Sequence, residues 1–251
     1  MISKNLLKYI KSLELKKNRQ CDNIFVAEGP KVVGDLMAVS EPRRIVATDE
    51  WYGSHGVVPR TDDVVVDADE LRKASFLLHP QQVMALFDIP EHEADASVCG
   101  RELCLALDKV QDPGNLGTII RIADWFGITT IFCSTDTADA YNPKVVQATM
   151  GSIAHVKLVY TDLLQLIDNM PEGTPVYGTS LSGNDIYCEK LSSSGLIIMG
   201  NEGQGISPAV MDKVTHQLLI PSYNSGNRAE SLNVAVATAI TCAEFKRQGR
   251  V

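Results

Sequence analysis

Three stretches of this chain place polar side chains where apolar runs end, and each is a candidate for chemistry. The first, DKVQDPGNLGTIIRIADWFGI (residues 108–128), sets Asn115 between Gly114 and Gly117 and carries Arg121 further along. The glycines allow close backbone approach, and the N–H groups of the helix that follows favour an anion or an electron-rich group. The second, IIMGNEGQGIS (residues 197–207), brackets Glu202 with Gly200, Gly203 and Gly205, exposing backbone donors and acceptors to a flat ligand. The third, IPSYNSGNRAESLNVAVATAI (residues 220–240), runs from Ile220 through Pro221 and a polar loop into an apolar helix. Ser231 reads as the cap of that helix and Asn233 as an amide inside its first apolar turn. An amide among apolar neighbours costs free energy unless it finds partners, so Ser231 and Asn233 read as aimed at something. Taken singly, each stretch also has an ordinary explanation: a capped helix with a solvated Asn, a glycine turn, or Arg121 paired with Glu202 or Asp124.

The elements that must position these residues follow from hydrophobic patterning. LCLAL at 103–107 is an uninterrupted apolar run of the kind a buried parallel strand shows. After it, 108–117 reads as a long polar turn and 118–126 as a helix. Strands at 130–133, 156–160, 175–180, 195–199 and 217–220 alternate with helices at 144–152, 162–169, 208–214 and 231–247. That alternation predicts a parallel sheet covered on both faces, with ligands at the carboxyl ends of its strands. Upstream, Ser3 caps an amphipathic helix bearing Leu6, Leu7, Ile10 and Leu13. Strands at 25–29, 44–48, 64–66 and 82–87, with helices at 31–39 and 69–74, predict a smaller α/β unit. The acidic, Pro-containing stretch 88–100 reads as the linker.

The chain has 251 residues, 45% of them apolar and 22% charged, as in an ordinary globular protein. No apolar run approaches the about 20 residues that span a bilayer, and the Lys-rich N-terminus lacks a cleavable apolar core, so a cytoplasmic protein is expected. The six cysteines form no C-x-x-C pair and no two of the five histidines share a metal-binding spacing, so free thiols and no metal are expected. A net charge of −8 argues against nucleic acid as a partner. Residues 1–20 reverse that locally, with Lys4, Lys8, Lys11, Lys16, Lys17 and Arg19 against Glu14 alone. Such a face is most often merely solvated.

In this order, the three stretches resemble the signature blocks of the SpoU/TrmH family of RNA 2′-O-ribose methyltransferases, within the SPOUT superfamily. The resemblance runs from about Leu103 to the C-terminus, and KKNRQCDNIFVAEGPKVV (residues 16–33) is similar to the opening of the family's substrate-binding domain. It implies an RNA substrate-binding α/β domain over 1–95 and a parallel-sheet methyltransferase domain over 100–251 with a deep trefoil knot. It further implies S-adenosylmethionine as methyl donor and a homodimer whose subunits both touch RNA. Carried over by position, Asn115, Arg121, Glu202, Ser231 and Asn233 form the catalytic set. Thr179, Leu181, Gly200, Ile220 and Leu232 hold the donor, and Lys4, Lys16, Lys17, Arg19 and Arg121 meet RNA. Arg121 would hold the target phosphate and polarise the 2′-hydroxyl; base catalysis is harder, because a guanidinium keeps its proton. Glu202 would orient Arg121 or Asn115. The chain departs from the pattern in the loop 223–230, which is about three residues longer than expected, and in Ser222, which stands where methionine is usual.

The extra N-terminal unit favours ribosomal over transfer RNA. A transfer-RNA methyltransferase and a non-catalytic RNA-binding or assembly factor of the same fold are the alternatives. A nucleotide-binding enzyme using the glycine turns for phosphate fits worst, since no Walker lysine or dinucleotide fingerprint is present.

Overall fold

In the computed structural model, residues 2–223 and 231–249 are described. Their elements are α1 (Lys4–Ser12), α2 (Lys16–Asp22), β1 (Ile24–Glu28), α3 (Pro30–Met37), β2 (Arg44–Ala47), α4 (Asp49–His55), β3 (Val64–Val65), α5 (Ala68–Ala74) and β4 (Val83–Asp88). There follow β5 (Leu103–Leu107), α6 (Pro113–Trp125), β6 (Thr130–Cys133), α7 (Pro143–Thr149), β7 (Lys157–Tyr160) and α8 (Leu163–Asp168). The last are β8 (Val176–Asp185), β9 (Gly195–Met199), α9 (Pro208–Met211), β10 (His216–Leu219) and α10 (Val234–Gln248). Two compact units result: residues up to Glu91 together with Asp139–Ala154, and His92–Ala138 together with the chain from His155 onward.

In the first unit, the Ser3 hydroxyl accepts from Leu6 N at 3.2 Å and starts α1, whose Leu6 and Ile10 pack with Val46, Leu71 and Met84. A capping box of Asp67 and Glu70 starts α5 in the same way. The sheet has the order β1-β4-β2-β3, antiparallel where β4 pairs with β1 and β2, and parallel between β2 and β3. Two helices were not legible as periodic patterns. In α2 no side chain caps the start and the one buried residue is Arg19; in α4 Thr48 caps a helix that buries only Trp51 and Tyr52.

Arg19 requires a correction. Expected as an RNA contact, it is 1% exposed, donates to the carbonyls of Leu13 (2.7 Å) and Glu14 (2.8 Å), and pairs with the Asp139 carboxylate. Its two terminal nitrogens are engaged inside the unit, where a buried charge needs partners. Lys4, Lys16 and Lys17 are exposed.

The segment 139–154, expected as a crossover of the second sheet, packs within the first unit. Tyr141 lies against Phe25 with ring centroids 5.0 Å apart, and α7 buries Val145 and Val146. A Cβ added to Gly151, at φ 101°, would fall 1.9 Å from Asp35 Oδ2, so glycine is required there.

In the second unit every strand pair is parallel, in the order β10-β8-β9-β5-β6-β7. The apolar runs of β5, β6 and β9 are buried along their whole length, as a sheet covered on both faces demands. Two helix starts differ from expectation. α6 begins at Pro113 rather than at 118, because Asp112 Oδ1 accepts from Asn115 N at 2.8 Å and proline suits the first helical position. α10 begins at Val234, capped by Asn233 and not by Ser231: Asn233 Oδ1 accepts from Ala235 N and Val236 N. Asn233 is thus an exposed cap rather than an amide in an apolar turn. The long loop noted above lies, over 224–230, outside the described residues. Among described residues, no helix is long and apolar enough to cross a membrane, and no group of His, Cys, Asp or Glu is arranged to hold a metal.

A fragment of residues 1–95 lacks the Asp139 partner of Arg19 and the ring that covers Phe25. Leaving one partner of a buried pair uncompensated costs about 3–5 kcal/mol. We predict that this fragment gives a collapsed, poorly dispersed amide NMR spectrum, and that a dispersed native-like spectrum would contradict the assignment of 139–154 to this unit.

Candidate active site

Strands β5 and β9 are neighbours that end level, Leu107 opposite Met199, so the loops after them emerge side by side. The β5 loop is anchored by Asp108, 2% exposed, whose Oδ2 accepts from Ser207 N at 2.7 Å. Lys109 follows with φ 60°, a left-handed conformation that costs a non-glycine residue about 1–2 kcal/mol. Both its backbone polar groups are engaged: the N–H donates to Ser134 Oγ (2.9 Å) and the carbonyl accepts from Asn201 Nδ2 (2.8 Å).

From the β9 loop, Glu202 faces this segment. Its Oε1 accepts from Asn115 Nδ2 at 3.0 Å and Asp112 N at 3.3 Å, and its Oε2 from Gln111 N at 3.5 Å. Asn115 Oδ1 in turn accepts from Asn233 Nδ2 at 2.9 Å, while Asn233 Oδ1 caps α10. A carboxylate only accepts, so Asn115 must turn its NH₂ to Glu202 and its oxygen to Asn233; helix N–H groups fix Asn233 in the matching sense. Three segments distant in sequence are thereby joined in one ordered relay. Burial works to raise the Glu202 pKa, but the bonds from Asn115, Asp112 and Gln111 outweigh it and hold the carboxyl below its ordinary 4.5.

Beside the relay is a cavity of about 530 Å³, within the usual range for ligand clefts. Thr179, Leu181, Gly200, Ile220 and Leu232, the five residues expected at the donor, all line it, together with Glu202 and Ser231. Strand β8 explains part of this wall. Its register on β10 jumps from Gly178 opposite Gln217 to Asn184 opposite Leu218, so the intervening residues leave the ladder and turn Thr179 and Leu181 to the cavity. Gly200 explains another part: an added Cβ would sit 2.2 Å from the Gly205 carbonyl carbon and Ile206 N. Only glycine lets the two arms of the loop close up and present backbone edges. Leu181 and Leu232 are 74% and 50% exposed at the rim, apolar surface that a ligand would cover.

Arg121 is exposed on α6 and does not line this cavity. It forms none of the ion pairs present among the described residues, including the one to Glu202 or Asp124 that its position allowed. Glu202 therefore orients Asn115, not Arg121. Asn115 and Asn233 lie on the relay side, joined to the cavity wall through Glu202. Sequence reasoning did not single out Asp112, Lys109 or Asn201. Asp-Pro before a helix was a readable cap signal, and Asn before two glycines a readable turn signal; the left-handed lysine had none.

A parallel sheet with a glycine-walled cleft and a polar relay at the carboxyl ends of its strands has the form of a ligand site of an open α/β sheet. Residues 102–243 match the model of the SpoU rRNA methylase family, and residues 4–85 that of an MRM3-like substrate-binding domain. The chain is 35% identical, over 92% of its length and 91% of the relative's, to the 23S rRNA (guanosine(2553)-2′-O)-methyltransferase RlmP of Bacillus subtilis. Among solved structures it resembles an RNA methyltransferase of the TrmH family from Porphyromonas gingivalis, with TM-score 0.87, 39% identity and 99% of each chain covered. An AdoMet-bound rRNA methyltransferase from Sinorhizobium meliloti gives TM-score 0.84 at 28% identity, covering 98% of this chain and 96% of that one. This chain belongs to the SpoU family of RNA methyltransferases.

A depressed carboxyl pKa contributes stability above the unfolded value, and that contribution is lost as pH falls through the folded one. The gap in Tm between wild type and Glu202→Gln is therefore open at neutral pH and closes below pH 4.5, the ordinary value for this group. A pH-independent gap would contradict the relay.

Proposed function

We propose that this chain transfers a methyl group from S-adenosylmethionine to a ribose 2′-hydroxyl of structured RNA, ribosomal rather than transfer RNA. The observation that carries the reading is the Glu202–Asn115–Asn233 relay beside a glycine-walled cavity. The name of the Bacillus subtilis relative, which specifies 23S rRNA, and the match to a substrate-binding domain favour the ribosomal substrate. Residues 1–95 would bind RNA, and residues 100–251 would carry the reaction and the family's knot. The location would be cytoplasmic.

The cavity residues suit the donor. Apolar Ile220 and Leu232 and the backbone edges around Gly200 match a flat adenine ring, while Thr179 and Leu181 close the opposite wall. When bound, the donor supplies an electrophilic methyl on a positively charged sulfur. The protein's part is to align that methyl with the hydroxyl in a site cleared of water; alignment contributes about 7–11 kcal/mol to lowering such barriers. Ser231, on the cavity wall, and the two relay amides would face the ribose. Arg121, exposed on α6, would grip the adjoining phosphate and polarise the hydroxyl. Lys4, Lys16 and Lys17 would extend the RNA contact.

The protein would act as a homodimer. Trp125 on α6 is 84% exposed and Val236 on α10 is 49% exposed, apolar side chains that a second copy would cover. Light scattering should give twice the mass of one chain, and Val236→Glu should halve it; a wild-type monomer would contradict the dimer.

Arg121→Ala should lower transfer of labelled methyl to RNA by about 100-fold or more, the scale for losing one charge-stabilising group. Donor binding, measured by calorimetry, should be retained. Unimpaired transfer by this variant would sink the role given to Arg121.

A further inference from the structure

Asn201 lies between the two halves of the site and uses its whole side chain. Its Oδ1 accepts from Gly203 N at 2.9 Å and Gln204 N at 3.0 Å, and its backbone N–H and carbonyl pair with Gly205 at 2.9 Å each. Those bonds shape the loop that walls the cavity. Its Nδ2 does something different: it donates at 2.8 Å to the carbonyl of Lys109, on the loop that leads into α6, and at a longer 3.4 Å to Glu202 Oε2. Among the described residues, the other side-chain ties between these two loops run through Glu202 and, at their bases, from Ser207 N to the Asp108 carboxylate.

The Lys109 tie matters because of where it falls. Lys109 holds a left-handed backbone without being glycine, so the direction of the following segment depends on what restrains that residue. Gln111 and Asp112 reach Glu202 at 3.5 and 3.3 Å, near the limit for a hydrogen bond. A shift of a few tenths of an ångström there would break both and displace the start of α6, which carries Asn115. The cavity wall, held by the Oδ1 bonds, would stay in place.

We propose that Asn201 is a positioning residue for methyl transfer, fixing the donor wall against the amide relay so that its removal lowers turnover and spares donor binding. This rests on the reading of the chain as a ribose methyltransferase. Two variants separate the Oδ1 and Nδ2 functions. Asn201→Asp keeps the acceptor for Gly203 and Gln204 but cannot donate to Lys109; Asn201→Ser keeps a shorter acceptor and adds no charge.

With wild-type protein as control, kcat at saturating donor and RNA should fall about 100-fold in both variants, the scale for a misplacement of about 1 Å. Donor affinity by calorimetry should be unchanged. Amide exchange at Gln111 and Asp112 should be faster in both, a readout that does not depend on the reaction. Wild-type kcat in either variant, loss of donor affinity in step with kcat, or unaltered exchange would overturn the proposal. No methyl in RNA with the wild-type protein would instead contradict the proposed reaction, leaving exchange to decide the role of Asn201.

Discussion

The arrangement depends on one carboxylate. Glu202 leaves the end of β9 and accepts hydrogen bonds from Asn115 on α6 and from the backbone at Gln111 and Asp112. Because it can only accept, it sets the sense of both amides that follow, down to the cap of α10. Charge-assisted bonds of this kind are roughly twice as strong as neutral ones, and Glu202 stays ionised well below neutral pH. A neutral side chain here would weaken the bonds that join the three strand ends.

Around that carboxylate, the sheet supplies rigidity and glycine supplies shape. The fully buried runs of β5 and β9 bring two loops to the same level, and the sheet pins their start points. Gly200 lets one loop fold back on itself until its arms are closer than any side chain would permit. The jump in register between β8 and β10 turns Thr179 and Leu181 outward to form the facing wall. A strained Lys109 marks where the two loops are tied. Rigid strands with specialised loops at their carboxyl ends are the general way an open parallel sheet builds a ligand site.

Much of this was readable from the sequence because it is local. Apolar runs such as 103–107 and 195–199 declared buried strands, Ser3 declared a cap, and the glycines around Glu202 declared a turn at a strand end. The residues expected at the donor converge on one cavity. What escaped was set by distance. Arg19 read as part of a basic face, yet it is buried against Asp139, 120 positions away, and no local pattern records such a pair. The helix expected over 144–152 read as a crossover from the alternation of strands and helices, but the observed helix 143–149 packs within the first unit. Helix starts moved where a better cap lay nearby: Asp112 before Pro113, and Asn233 in place of Ser231.

The central claim is that the relay and the cavity act together as one site for methylating a sugar hydroxyl. Labelled donor, protein and RNA extracted from cells lacking this gene's product test it directly, with the product digested by alkali and the label located. A 2′-O-methyl group blocks cleavage of the adjoining phosphodiester, so the account predicts the label in a single alkali-resistant dinucleotide of ribosomal RNA. Label recovered on a base in an ordinary mononucleotide, or no label in RNA, would contradict it.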